Sequence, residues 1–133
     1  PYNNPELGYN YRMTNLAAAL LCAQLERADE IIARRDAVIA GYEAQLADEP
    51  ALSAQPVLAG VRRAPWMAAF LVGPEGDAIS RDAVARALDR LGVETRPFFV
   101  PIPDLPAHRD PGAHCPVTVD LSRRGINLPT YPE

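Results

Sequence analysis

Gly8-Tyr9-Asn10-Tyr11-Arg12-Met13-Thr14-Asn15 runs directly into Leu16-Ala17-Ala18-Ala19-Leu20-Leu21, where an apolar helical pattern begins. Two aromatic rings, two amides and a guanidinium fall within this short stretch, immediately before a helix start. The segment therefore offers hydrogen-bond donors for an anion and flat faces for a ring. Thr14 or Asn15 is placed to cap the helix by accepting from an unpaired amide of its first turn. Outward from the cap, the helical pattern continues to about Leu46. Leu21, Leu25, Ala28, Ile32, Ile39, Tyr42 and Leu46 share one stripe, interrupted by Arg35, and charges occupy the other faces. Such a helix is long against a mean of ~11–12 residues, and Gly41 is the expected bend. Asp48-Glu49-Pro50 ends it, because proline removes a donor and clashes with the preceding turn.

Farther along, Ala51 to Arg63 reads as a loop with a short extended piece near Val57-Leu58. Trp66 to Val72 is apolar, lies between Pro65 and Gly73-Pro74, and reads as a buried strand. Gly73 to Gly76 reads as a turn without the spacing of a phosphate-binding loop. Ser80 caps a second helix that carries Val84, Ala87, Leu88 and Leu91 on one face and Gly92 just past its end. Val93 to Val100 reads as a second strand in which Pro97 demands an edge or a bulge. Pro97 to Pro116 holds six of the 14 prolines, a long stiff loop of the kind that usually has a job. Pro116 opens a short helix that stops before Gly125, and Ile126 to Leu128 makes a last strand. This order predicts a small α/β sandwich, with helices packed on one side of a short sheet.

The run Gly8 to Leu16, continued by Ala17-Ala18-Ala19 and Ala23-Gln24-Leu25-Glu26, resembles the DegT/DnrJ/EryC1/StrS family of pyridoxal-phosphate-dependent sugar aminotransferases. So do Val93-Glu94-Thr95-Arg96-Pro97-Phe98-Phe99, Pro101-Ile102-Pro103 and Gly125 to Pro132, in the same order. The resemblance covers nearly the whole chain. It implies the small carboxy-terminal domain of a fold-type-I pyridoxal-phosphate enzyme over residues 16–133, entered by an active-site loop over 1–15 that reaches a partner subunit. For the complete enzyme it implies pyridoxal 5′-phosphate, a nucleotide-sugar substrate, glutamate or glutamine as amino donor, and a homodimer. The amide matching Asn10 bonds the cofactor phosphate from the neighbouring chain; a turn that only caps local backbone is the competing reading. Tyr9, Tyr11 and Arg12 are candidates for the sugar site, against half-buried core rings and an interfacial salt bridge. Arg96, at a strand end before the proline loop, is a candidate for the diphosphate, against an exposed edge arginine. Phe98 and Phe99 alternate faces, so one is core and the other flanks the substrate. Pro101-Ile102-Pro103-Asp104 departs from the family, many of whose members carry a histidine there in a Pro-Leu-His run.

All 13 basic residues are arginine, so no lysine exists to condense with the aldehyde of pyridoxal phosphate, and no residue here is assigned a catalytic role. The chain is expected to be part of an aminotransferase, cut short at both ends and inactive alone. The net charge of −4 gives no reason to expect nucleic acid. No apolar run is long enough for a bilayer, and no signal peptide is visible. Cys22 and Cys115, without a Cys-x-x-Cys pair, suggest a reduced, cytoplasmic protein. His108, Asp110, His114 and Cys115 match no zinc spacing, so no metal is expected. A second reading is a stand-alone, non-catalytic dimerisation module built on the seam from Leu21 to Leu46.

Overall fold

The computed structural model describes residues 4–74 and 79–132. The second half of the turn expected at 73–76 lies outside them, as do both chain ends. Helix α1 (Asn15–Leu25) starts at Thr14, whose hydroxyl accepts from the Ala17 amide at 3.2 Å. Helix α2 (Ala28–Gln45) follows after a break at Glu26-Arg27. The long helix expected over 14–46 is thus two helices, and Gly41 lies inside the second. Arg27 leaves helical geometry (φ −111°, ψ 13°), and its guanidinium turns forward to Glu30 at 3.1 Å. Asp29 and Glu30 then sit in the first turn of α2, where the helix dipole favours negative charge.

Among the described residues four strands follow: β1 (Leu52–Ala54), β2 (Ala68–Val72), β3 (Arg96–Pro97) and β4 (Gly125–Leu128), in the spatial order β1-β2-β4-β3, each neighbouring pair antiparallel. Helix α3 (Arg81–Arg90) lies between β2 and β3 in sequence, and α4 (Pro116–Arg124) leads into β4. Phe70 pairs with Ile126 and Ala68 with Leu128. Because side chains alternate along strands, these residues share a face with Val72 and Leu52. On that face Ile39, Ala68, Phe70, Val72 and Ile126 form the buried core, and Tyr42 of α2, Leu46 just past its end, and Val84 and Leu88 of α3 close it. Tyr42 meets Phe70 edge to face, with ring centroids 6.4 Å apart.

Several local expectations hold. Ser80 caps α3 by accepting from the Ala83 amide at 3.2 Å. Gly92 ends that helix at φ 78°, its amide bonded to Asp89 O while that of Val93 reaches Leu88 O. Pro116 opens α4, and Gly125 ends it. Two extended segments differ. The piece expected near Val57-Leu58 is instead β1, because Leu52 faces Val72 and the Gly73 amide donates to Ala51 O at 2.7 Å, whereas Val57 and Leu58 are exposed. The strand expected over 93–100 shrinks to Arg96–Pro97, at the sheet edge that proline tolerates.

The stripe from Leu21 to Leu46 divides with the helix. Its second half enters the core, whereas Leu21 and Leu25 are exposed and no residue of α1 is buried. The chain exposes 10341 Å², against the roughly 6,900 Å² expected of a compact monomer of this mass. No helix among the described residues is long and apolar enough to cross a membrane.

Candidate functional site

The face of the sheet opposite the core carries the polar residues of β3 and β4. Arg96 pairs in register with Asn127, one residue out of phase with the core-facing Ile126. Around them lies a cleft of about 480 Å³ whose lining includes Arg35, Trp66, Glu94, Arg96, Phe99 and Asn127, together with the 128–131 segment. Arg35 reaches it from α2 and donates to Trp66 O at 2.8 Å, which pins the backbone just before β2. The Trp66 and Phe99 rings stack at 6.4 Å between centroids with planes 24° apart, and they are 62% and 55% exposed. Arg96 holds the Glu94 carboxylate at 3.1 Å. Asn127 is 9% exposed, and its Nδ2 donates to Pro97 O at a long 3.4 Å.

Thr130 fixes the far wall. Its buried hydroxyl accepts from the Ala68 amide at 2.8 Å and donates to Leu128 O at 2.9 Å. Gly125 supports the other end, since the Phe98 ring lies where a β-carbon would stand. Phe98 is therefore packed inward and Phe99 faces the cleft, as their alternation implied.

A second, more open groove of about 640 Å³ runs between the end of α1, the start of α2 and residues 62–66. Arg63 ties that segment to α2 through Glu43 and, at 3.7 Å, Asp36. The hydrogen-bonded Glu43 carboxylate holds the Arg63 guanidinium above its ordinary range, against the pull of partial burial.

The loop before α1 stands apart from both. Tyr9 and Tyr11 are 79% and 85% exposed, so they are not core rings. Asn10 and Arg12 are exposed, and neither side chain bonds or pairs with another described residue. The local cap is made by Thr14, and the Asn10 amide has no partner among the described residues. The structure thus places Arg96 in a cleft with Glu94 but does not bring Tyr9, Asn10, Tyr11 or Arg12 to it. Trp66, Glu94, Asn127 and Tyr131 are cleft residues that the sequence did not single out. The alternation Glu94-Thr95-Arg96 against Ile126-Asn127-Leu128 was the available signal. Among the described residues no three His, Cys, Asp or Glu side chains gather as metal ligands.

The sequence profile of the DegT/DnrJ/EryC1/StrS aminotransferase family matches residues 1–133. The chain is 42% identical over 134 residues to the GDP-perosamine synthase of Caulobacter vibrioides, covering 96% of this chain and 34% of that protein. It is 36% identical over 128 residues to the GDP-perosamine synthase of Vibrio cholerae, covering 95% and 34%. The chain therefore spans about a third of the length of these relatives. Its fold matches the crystal structure of DesI in the presence of its TDP-sugar product with a TM-score of 0.78 and 29% identity, over 89% of this chain and 31% of that one.

Proposed function

The chain belongs to the DegT/DnrJ/EryC1/StrS aminotransferase family, and from that premise we propose that it is the carboxy-terminal part of a pyridoxal-phosphate-dependent nucleotide-sugar aminotransferase. The complete enzyme moves an amino group from glutamate or glutamine onto a keto-sugar and works as a homodimer. The names of the relatives carry both guanosine and thymidine diphosphates, so the substrate class is a nucleoside-diphosphate sugar.

One observation carries the assignment of roles. The Gly8–Asn15 loop presents Tyr9, Asn10, Tyr11 and Arg12 to solvent with no side-chain polar partner among the described residues. Four such side chains beside a capped helix suit a ligand or a second subunit better than they suit this fold. Asn10 fits a contact to the cofactor phosphate, because an amide NH₂ is a good donor to a phosphate dianion. Tyr9, Tyr11 and Arg12 border the sugar in the partner's site, and Arg96 meets the diphosphate from the cleft side. When bound, pyridoxal phosphate supplies the carbonyl that relays the amino group. The lysine that holds this carbonyl belongs to residues outside the present chain, which contains no lysine. What this chain contributes is binding and orientation.

Loss of one charge-assisted hydrogen bond costs about 1.5–3 kcal/mol. Asn10→Ala in the full-length enzyme should therefore weaken pyridoxal phosphate affinity on the order of ten- to a hundredfold. Cofactor titration of the apoenzyme measures this directly. An unchanged affinity would show Asn10 to be a loop residue only.

A further inference from the structure

The cleft beside Arg96 has a chemistry that discriminates among nucleotide bases. Its wall is the stacked pair Trp66 and Phe99, both more than half exposed although they are among the most apolar rings of the chain. Its floor holds Asn127, nine-tenths buried, whose Nδ2 is turned to Pro97 O while Oδ1 has no partner among the described residues. On its rim Glu94 is oriented by Arg96 at 3.1 Å. What Glu94 and Asn127 Oδ1 offer to a ligand is acceptors, in front of a flat apolar surface.

We propose that the cleft formed by Trp66, Phe99, Glu94 and Asn127 binds the guanine ring of a guanosine-diphosphate sugar. This rests on the nucleoside-diphosphate-sugar reading and deepens it by selecting the base. Guanine presents N1–H and its exocyclic amine side by side, a donor pair that a single carboxylate accepts through both oxygens. Adenine sets one donor beside a ring acceptor. Thymine and uracil flank their N3–H with two carbonyls, which a carboxylate repels. Stacking on Trp66 or Phe99 holds any base, so the rings supply affinity and Glu94 supplies the choice. A volume of about 480 Å³ suits a base with its ribose.

Isothermal titration of the full-length protein with GDP, ADP and TDP tests the assignment, with amino transfer to GDP-linked and TDP-linked keto-sugars measured alongside. GDP should bind at least about tenfold more tightly than ADP or TDP, as expected when a site's polar groups are left unmatched by the wrong ligand. Glu94→Gln should weaken GDP roughly ten- to a hundredfold and leave ADP and TDP nearly unchanged, while Trp66→Leu weakens all three. Amino transfer with equal binding of the three nucleotides, or Glu94→Gln weakening all three alike, would overturn the guanine site and leave the aminotransferase reading standing. Absence of both nucleotide binding and amino transfer would overturn both.

Discussion

Phe98 and Gly125 show how one residue can hold the cleft in place. The ring occupies the space a side chain would take at 125, while the Phe98 amide donates to Gly125 O at 3.2 Å. Arg81 grips the same carbonyl at 3.0 Å from α3. Gly125→Ala forces the ring aside and should destabilise the chain by about 1–3 kcal/mol, in the range of other overpacked sites. Urea unfolding at low concentration, followed through Trp66, reads this as a lower midpoint. An unshifted midpoint means the ring yields freely. Arginine usage gives a second expectation at this scale. With no ε-amine in 133 residues, borohydride reduction of the chain with pyridoxal phosphate should leave no side-chain adduct. Mass mapping decides it, and labelling confined to the terminal amine is compatible.

At the scale of elements, α4 is anchored by one arginine used twice. Arg124 meets Asp120 through two 2.8 Å hydrogen bonds one helical turn back, and it also donates to Gly73 O at the end of β2. The Arg124 hydrogen bond, with smaller help from the nearby charges, holds the Asp120 carboxyl below its ordinary range. A carboxyl depressed in the folded state stabilises it above the unfolded pKa of about 4, and that contribution is lost as pH falls through the lower folded value. The loss of stability between about pH 5 and 2 should therefore be smaller in Asp120→Asn than in the parent chain, and high salt should shrink the difference. Parallel acid titrations by circular dichroism would show it; identical profiles would mean the pair is idle. Elements governed by local chemistry were legible in the sequence: Ser80 and Gly92 bound α3, Pro116 starts α4, and Pro97 pushes β3 to an edge. The break at Arg27 was hidden because the apolar stripe crosses it without interruption, and only the turn of its side chain toward Glu30 marks the new helix. The choice of Leu52 over Val57 for β1 depends on a partner strand that sequence periodicity does not see. The cleft was half legible for the same reason. Arg96 and Phe99 stood out in their own segment, but Glu94 and Asn127 come to line one cleft only once β3 pairs with β4.

For the whole molecule, the telling quantity is surface. The chain exposes about half as much again as a compact monomer would, and Leu16, Leu20 and Leu25 are 76%, 65% and 61% exposed along α1. Apolar patches beyond a few hundred Å² rarely stay bare in water. The isolated chain should therefore self-associate at micromolar concentration, and Leu21→Asp should weaken that by placing a charge in the contact. Sedimentation measures it, and a monomer at high micromolar concentration would refute the assignment of α1 as an interface. The manner of association follows from the sheet's two borders. On one side β1 is three residues long and lies between Pro50 and Pro56; on the other β3 is two residues long and ends in Pro97, which has no N–H to give. Neither border offers a usable template for another chain's backbone. Whatever assembly the chain makes is thus glued by helix side chains and should dissolve on dilution, with no gain of strand signal in the infrared and no dye-binding fibres on standing.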